Sequence, residues 1–450
     1  MRVLICLTLI TGCAVPPGTS EPGWGVSGGH LRDRSGRAVI LRGVNLSGVN
    51  KQKPYLGFHQ PADYTRLRAQ WGMNAIRFLV TWAAVEPEKG QYDQAYLDQV
   101  VRRMDWARQA GLVVVLDMHQ DVYGEGFGGD GAPRWTCDEA HYAAFKPVSP
   151  WFANYASPEV MACFDRLWTD AELQQRFADA WRQLALGLAG HEAVIGFDVI
   201  NEPHWGSHDL FSFERDRLAP FYDRVVAAVR EVAPHWVAFL EPSASRNLGI
   251  STRLSPRPYG DVVYAPHSYD PAAEQGRGFD PSRRGVIVST IARLADEARM
   301  LSAGLWIGEY GGVASDPGIG AYMDAQYDGA AAVAAGSMYW DYNRDEGYGL
   351  LGPDGGEKRV LLDVLVRPYP ARVAGDPLSF EYDESSRTFT LSYRPSARVV
   401  APTEIVLPRR VYPAGYRVAC GGCTIERSVD LVRITHPPAS GVARVVVTPP

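Results

Sequence analysis

Short apolar runs alternate with amphipathic stretches over most of the chain, from Trp24 to about Gly375. The apolar runs have the length and the β-branched content of buried strands, and the stretches between them repeat their apolar residues at helical spacing. This alternation is typical of an α/β protein with a parallel sheet. The eight predicted strands are Ala38 to Asn45, Ala75 to Thr81, Leu112 to Met118, Val194 to Ile200, Trp236 to Glu241, Val262 to Pro266, Leu305 to Glu309 and Ser337 to Tyr342.

The predicted helices lie between these strands: Tyr96 to Ala110, Glu172 to Ala189, Phe213 to Val232, Val286 to Ser302 and Gly318 to Ala335. Eight strand and helix units predict a (β/α)₈ barrel over residues 24–375. A doubly wound sheet is the alternative, but no Gly-rich phosphate loop follows an early strand. The longest connection, from Val122 to about Thr169, is rich in glycine and aromatic residues, which suits the wall of a binding cleft.

The pattern changes after Gly375, where short β-rich runs such as Thr388 to Tyr393 are separated by turn residues and no helical period is found. Such a pattern is typical of antiparallel sheets. We therefore predict a small C-terminal antiparallel β-sandwich over residues 376–450.

The first residues carry one positive charge, a short apolar run and then Gly12 and Cys13. The run is too short for a membrane span and is typical of a secretory signal. Ile10 to Cys13 also resembles a bacterial lipobox, in which Cys13 would be acylated, and a plain signal peptide is the alternative. We assign residues 1–23 to the signal and a linker, and we expect an exported protein, either a lipoprotein of the bacterial cell envelope or a secreted one.

Four cysteines remain once Cys6 and Cys13 are assigned to the signal. An even number in an exported chain permits two disulfides, most simply Cys137 with Cys163 and Cys420 with Cys423. The second pair has CxxC spacing, which elsewhere indicates a redox motif or half of a zinc site. No second CxxC and no suitably spaced histidine pair accompanies it, so we favour a disulfide.

The composition excludes some classes of partner. The 45 basic and 51 acidic residues give a formal net charge of −6, without long runs of either sign. A protein that binds nucleic acid would show a basic patch, so we expect no nucleic-acid partner. We also expect a monomer.

Polar residues follow the predicted strands at the end where barrel enzymes carry their active sites. Two glutamates at strand ends suit the hydrolysis of a glycosidic bond, in which one protonates the departing oxygen and the other attacks the sugar. Strands four and seven lie across the barrel, so their carboxyl groups could lie roughly 5 Å apart, as in a retaining mechanism. The strand-end residues are Arg77, Asp117, His119, Asp121, Asn201, Glu202, His267, Tyr269, Glu309 and Trp340.

An ordered subset of these residues resembles glycoside hydrolase family 5, namely Arg77, His119, Asn201-Glu202-Pro203, His267 with Tyr269, Glu309 and Trp340. Four further segments resemble the endoglycoceramidases of that family, which cut between the oligosaccharide and the ceramide of a glycosphingolipid: Gly43 to Lys51, Asp117 to Tyr123, Gly129 to Pro133 and Trp340 to Asn343. The predicted order of domains, a barrel followed by a β-sandwich, also resembles these enzymes.

The resemblance implies that Glu202 is the acid/base and Glu309 the nucleophile. It implies that His267 orients the two carboxyls together with Tyr269, and that Asn201 binds the sugar 2-hydroxyl. Trp340 would lie under the sugar, whose hydroxyls would be bound by Lys51, Asp117, His119 and Asp121. Glu202 must hold a proton, which the negative Glu309 would favour, and Glu309 must stay ionised, which Arg77 would assist.

Other functions stay open at this point. The same mechanism could act on a β-glucan, a mannan or a simple glucoside, and a degenerate barrel could be a non-catalytic carbohydrate-binding surface lipoprotein. A metal site at Asp117, His119 and Asp121 is disfavoured, because the chemistry needs neither a metal nor a cofactor. A lipid-facing function predicts exposed apolar residues beside the cleft, among them Phe127, Trp151 and Phe152.

Overall fold

The computed structural model describes residues 23–437 and 441–450. The predicted signal and the acylation site at Cys13 lie outside the described residues. Within the described ranges, no helix combines the length and apolar character needed to cross a membrane.

Eight parallel strands close into a barrel, as the sequence predicts. Their cores are apolar and buried, because a barrel strand is covered by helices outside and by side chains inside. The strands are β1 (Arg42–Leu46), β2 (Ala75–Thr81), β3 (Val113–His119), β4 (Val194–Asp198), β5 (Val237–Leu240), β6 (Val262–Tyr264), β7 (Gly304–Tyr310) and β8 (Gly336–Tyr339).

Helices surround the barrel, and their ends follow from local chemistry. The Asp93 carboxylate accepts a hydrogen bond from the Tyr96 amide at 2.9 Å and caps one long helix, which ends at Gly111 with a left-handed φ of 75°. The helices are Pro61–Thr65, Trp82–Val85, Gln94–Ala110, Glu139–Ala144, Pro158–Thr169, Ala171–Leu188, Ala219–Arg230, Pro271–Glu274, Arg284–Met300, Ile319–Ala332 and Arg359–Leu365.

The long connection after β3 is more ordered than the sequence analysis expected. It contains the helices Glu139–Ala144 and Pro158–Thr169, the second of which is capped by the Ser157 hydroxyl. Five apolar residues of this second helix recur at helical spacing and are buried, a pattern that the surrounding glycines and prolines obscured: Val160, Cys163, Phe164, Leu167 and Trp168. The connection is a packed substructure, joined internally by the Cys137–Cys163 disulfide.

Two antiparallel sheets form the region after the barrel. One has four strands in the order Gly375–Asp383, Thr388–Pro395, Ala443–Thr448 and Arg417–Cys420. The other has seven strands in the order Gly25–Ser27, His30–Arg32, Ala38–Val39, Tyr369–Val373, Thr403–Val406, Leu431–Thr435 and Thr424–Arg427. The Cys420–Cys423 disulfide closes the turn between two edge strands.

The N-terminal strands of the seven-stranded sheet differ from the prediction. The predicted strand Ala38 to Asn45 is two strands, Ala38–Val39 in this sheet and β1 in the barrel. The apolar residues Ala38 to Leu41 run across this change, so the change of sheet leaves no break in the hydrophobic pattern. Tyr369–Val373, which lies before the predicted boundary at residue 375, pairs with Thr403–Val406.

The two ends of the barrel interior differ in polarity. The end where the strands begin is filled by apolar side chains, including Val115, Ile195, Phe239 and Trp306, and is closed by Leu31. The end where the strands finish contains buried Arg77, Asp117, Asp198 and Glu309. Buried charges are stable only when they are paired, so the chemistry of the molecule is concentrated at this second end.

Candidate active site

A cleft of about 680 Å³ opens at the polar end of the barrel. The structure brings all of the predicted strand-end residues to it. Those that line the cleft are Lys51, His119, Asp121, Asn201, Glu202, Tyr269, Glu309 and Trp340. Arg77, Asp117 and His267 are buried in contact with them.

Glu202 and Glu309 face each other across His267. The His267 Nδ1 atom lies 2.8 Å from Glu202 Oε1 and 3.5 Å from Glu309 Oε2. These two carboxylate oxygens can be no farther apart than the sum of the two distances, which is below the roughly 6.5 Å at which inverting pairs begin. This bound lies outside the inverting range and allows the roughly 5–5.5 Å of a retaining pair.

Arg77 binds the groups beneath the cleft from inside the barrel, and its side chain is fully buried. Its Nη1 donates to Glu309 Oε1 at 2.5 Å, and its Nε donates to Asp198 Oδ2 at 3.0 Å. Its Nη2 lies 2.9 Å from both Asp117 Oδ1 and Glu241 Oε1. A planar guanidinium with five donors suits this task, because it can hold several carboxylates in fixed directions.

The backbone and the side chain of Glu202 are both fixed. Glu202 has a left-handed φ of 41°, which is costly for a residue with a Cβ and is tolerated where neighbours enforce it. Its amide donates to Glu241 Oε2 at 2.8 Å, and the Gln120 side-chain amide donates to its carbonyl at 3.2 Å. The Asn247 amide donates to Glu202 Oε1 at 2.8 Å.

Glu309 accepts from two donors. Arg77 binds its Oε1, and the Tyr269 hydroxyl donates to its Oε2 at 3.0 Å. Both donors stabilise the ionised form, which a nucleophile requires. Burial nevertheless raises the pKa of Glu309, although the charges of His267, Arg77 and His119 oppose this rise.

The pKa of Glu202 shifts in the direction opposite to the expectation. Burial would raise this pKa, but the hydrogen bond and positive charge of His267 outweigh burial and lower it. His267 is cationic, because Glu241 and Glu309 hold its pKa well above the usual range although burial opposes them. The neighbour that sets the protonation of Glu202 is therefore His267, whose positive charge lies 2.8 Å from the carboxylate, and not the negative Glu309.

A polar face of the cleft is formed by four residues in mutual contact, Lys51, His119, Asp121 and Trp340. Lys51 Nζ binds the Asp121 carboxylate and lies 4.4 Å from the centre of the Trp340 ring. The His119 ring stacks on Trp340 at 5.2 Å, and its Nδ1 lies 2.7 Å from Asp117 Oδ2. Donors, acceptors and an aromatic surface together suit a sugar ring with its hydroxyls.

Two groups of side chains in the site have the spacing of metal ligands: His119, Asp121 and Asp130, and Asp117, Asp198 and Glu241. A side-chain cation already lies within each group. Lys51 Nζ binds Asp121 and lies 3.9 Å from Asp130 Oδ2, and Arg77 contacts all three carboxylates of the second group. Lysine and arginine thus supply the positive charge that a metal would bring.

Sequence reasoning missed several residues of the site. Asp198 could have been noticed, because it is a carboxylate inside an apolar strand. Glu241 ends the fifth predicted strand, and it contacts Arg77, His267 and the Glu202 amide. Asn247 is an ordinary asparagine in a loop, and no local pattern indicates that it reaches Glu202.

The same cleft is also lined by apolar side chains, here called the apolar wall. It is formed by Trp151, Phe152, Trp205, Ala244 and Leu248. Trp151 is 52% exposed and Leu248 69% exposed, so this part of the cleft presents apolar surface to the solvent. Phe127 is not part of it, contrary to the prediction, because its ring packs between Tyr142 and Phe145 inside the long connection.

A closed parallel barrel with two facing carboxyl groups at the ends of β4 and β7 defines a retaining glycoside hydrolase. The comparisons with known proteins agree. Residues 33–346 match the profile of the cellulase family, glycosyl hydrolase family 5, and residues 367–447 match the glycoside hydrolase family 5 C-terminal domain. The chain belongs to glycoside hydrolase family 5.

The chain is similar to endoglycoceramidase I of Rhodococcus hoagii, with 29% identity over 447 residues that cover 93% of this chain and 85% of the relative. It is also similar in structure to endo-glycoceramidase II from Rhodococcus sp. in complex with ganglioside GM3, with a TM-score of 0.86 and 33% identity, covering 94% of this chain and 99% of the other. The same enzyme solved as a lactosyl-enzyme intermediate matches with a TM-score of 0.84 at the same identity and coverage.

Replacing Arg77 by Met should destabilise the fold. The change leaves buried carboxylates without their counter-charge, so we expect the free energy of unfolding to fall by about 3–5 kcal/mol. Urea unfolding near neutral pH measures this loss, which should shrink at lower pH as the carboxylates take up protons. Arg299→Met is the control, because that arginine forms an exposed ion pair with Asp296 and should change little. Equal stability of the two variants would contradict the role of Arg77.

Replacing His267 by Asn should raise the pKa of Glu202, because a neutral amide removes the positive charge that lowers it. The measurement is a ¹³C NMR titration of glutamate labelled at the side-chain carboxyl, in which the Glu202 signal is identified by its absence in Glu202→Gln. His235→Asn, far from the cleft, is the control. A pKa of Glu202 that stays the same or falls in His267→Asn would show that another group sets it.

Proposed function

We propose that this enzyme is a retaining endo-β-glycosidase that hydrolyses the bond between the oligosaccharide and the ceramide of glycosphingolipids. The proposal rests on one observation, that the cleft which contains Glu202 and Glu309 is lined both by the polar face and by the apolar wall. The similarity to two endoglycoceramidases over more than nine-tenths of the chain supports it.

The order of the strands explains this division. The polar face comes from the ends of β1, β3 and β8, whereas the apolar wall comes from the segments after β3, β4 and β5. A glycolipid has a hydroxyl-rich part and an apolar part joined at the scissile bond, so it matches both faces at once. A polysaccharide has sugars on both sides of that bond and would leave the exposed aliphatic side chain of Leu248 without apolar contact.

The first chemical step forms a glycosyl-enzyme. Glu309, held by Arg77 and Tyr269, attacks the anomeric carbon while Glu202 gives its proton to the oxygen that leaves with the ceramide. Asn201 Oδ1 is fixed by Arg77, and one N–H of its amide donates to the Gln120 carbonyl at 3.1 Å. The second N–H is available for the sugar 2-hydroxyl, a contact that strengthens in the transition state.

The second step releases the glycan. Glu202, now ionised, takes a proton from a water molecule that attacks the glycosyl ester at Glu309. The lowered pKa of Glu202 favours this role as a base, while burial of the cleft by substrate favours its neutral form in the first step. Glu202 thus acts as an acid when the whole substrate fills the cleft, and as a base after the ceramide has left.

The location of the enzyme is part of the proposal. The residues around Cys13 are typical of a lipoprotein signal, and an acyl anchor would hold the enzyme beside a membrane. We propose that the chain acts as an exported monomer, tethered in this way or secreted.

Incubation with lactosylceramide in detergent tests the substrate. We expect release of intact lactose together with ceramide, and loss of this release by orders of magnitude in Glu309→Gln. Hydrolysis of cello-oligosaccharides without release from lactosylceramide would contradict the proposal and favour a β-glucan substrate.

The apolar wall provides a sharper test within the same experiment. Leu248→Ser and Trp151→Ser should each lower kcat/KM for lactosylceramide by roughly tenfold, because each removes about 1.5–3 kcal/mol of apolar contact at most. Their kcat/KM for a soluble aryl lactoside should stay near that of the parent. Val400→Ser changes a side chain that is 91% exposed in the C-terminal region and is the matched control. Parallel losses on both substrates would exclude the wall as the ceramide site.

A further inference from the structure

The two oxygens of Glu202 have different surroundings. Oε1 accepts from Asn247 Nδ2 at 2.8 Å and lies 2.8 Å from His267 Nδ1. Within residues 23–437 and 441–450, no hydrogen bond reaches Oε2. The Glu202 side chain is 20% exposed and lines the cleft, so substrate can approach the second oxygen.

This asymmetry determines where an acidic proton can be placed. An oxygen that accepts from two donors has no room for a proton of its own, whereas a free oxygen can carry one. The proton of the neutral acid therefore belongs on Oε2. We propose that Asn247 is a positioning residue that, together with His267, holds Oε1 so that Oε2 delivers the proton to the departing oxygen.

The proton transfer follows from this geometry. As the bond between the anomeric carbon and the departing oxygen breaks, the O–H bond at Glu202 Oε2 breaks and an O–H bond forms on the departing oxygen. The anomeric carbon forms its new bond to a Glu309 carboxylate oxygen. Asn247 exchanges no proton in this step and only fixes the rotation of the Glu202 carboxylate.

The segment that carries Asn247 is itself well fixed. Ala244–Leu248 forms a 3₁₀ turn after β5, in which the Ala244 amide donates to the Pro203 carbonyl at 3.0 Å. Arg246 Nε donates to Glu297 Oε2 at 3.0 Å in a buried ion pair. The same turn presents Ala244 and Leu248 to the apolar wall, so the residue that orients the acid and the surface proposed to bind ceramide belong to one rigid element.

Titratable groups surround this acid on several elements, so a variant can change its orientation and its pKa together. They are His267, Glu241, Glu309, Asp121, Glu274 and Tyr269. Comparing leaving groups isolates proton donation, because a good leaving group departs without a proton, and the pH profile of kcat/KM for lactosylceramide then separates a shift in the pKa of Glu202 from a change in its orientation.

The test compares lactosylceramide with 2,4-dinitrophenyl β-lactoside, which carries the same glycan on a leaving group that needs no proton. Asn247→Ala should lower kcat/KM for lactosylceramide roughly ten- to a hundred-fold and that for the aryl lactoside less than about twofold. Asn247→Gln keeps an amide donor on an exposed side chain and should recover part of the loss. Equal losses on both substrates would overturn the proposal.

Leu248→Ala on the same turn is the contrast variant. It should raise KM for lactosylceramide with kcat retained, because it alters the wall and leaves the Glu202 hydrogen bond intact. A fall in its kcat equal to that in Asn247→Ala would show a general effect of the turn and would also overturn the proposal.

The assignment of ceramide as the leaving group that Asn247 assists rests on the proposed function. The positioning role of Asn247 and the ceramide substrate can nevertheless fail separately. If the parent enzyme does not cleave lactosylceramide, the same comparison is made with octyl β-glucoside and 2,4-dinitrophenyl β-glucoside. A selective loss on the octyl glucoside would support the positioning role although the ceramide proposal had failed. A parent enzyme inactive on both pairs would overturn both.

Discussion

The buried guanidinium of Arg77 is the interaction on which the remainder of the active site depends. It is fully buried on β2 and reaches groups carried by β1, β3, β4, β5 and β7. Those groups include Glu309 and Asn201, which contact substrate in the proposed mechanism. One cation thus offsets the repulsion between acidic residues that the barrel brings together, and it fixes their directions at the same time.

The charge arrangement above Arg77 determines how the two glutamates can divide their work. His267 lies between Glu202, Glu241 and Glu309 and carries a positive charge. It lowers the pKa of Glu202, whereas burial raises the pKa of Glu309. These four side chains interact strongly, so they share the proton that the mechanism needs. When bound substrate excludes water from the cleft, the change in solvation determines which of them carries it. The hydrogen bonds to Oε1 of Glu202 then determine from which oxygen this proton is delivered.

The barrel and the residues at its strand ends could be predicted, because buried strands leave apolar runs and a strand end leaves an abrupt polar residue. Glu202, Glu309 and His267 carry that signal in their own neighbourhood. Asn247 does not, since its role depends on a turn whose Ala244 amide donates to the carbonyl of Pro203, a residue about forty positions earlier in the chain. The sequence does not predict the change of sheet between Val39 and Arg42, because an apolar run does not show which sheet it joins. It does not predict the helix Pro158–Thr169 either, because an amphipathic pattern is hard to recognise among glycines and prolines.

The central claim is that Glu309 forms a covalent bond to the sugar while Glu202 moves the proton. Trapping with a 2,4-dinitrophenyl 2-deoxy-2-fluoro-β-lactoside tests it directly, because the fluorine slows both steps whereas the good leaving group speeds only the first, so that the glycosyl-enzyme accumulates. Mass spectrometry of the intact protein should show the addition of one fluorolactosyl group, and peptide mapping should place it on Glu309. A label on Glu202, or no label together with a product of inverted anomeric configuration, would contradict the claim.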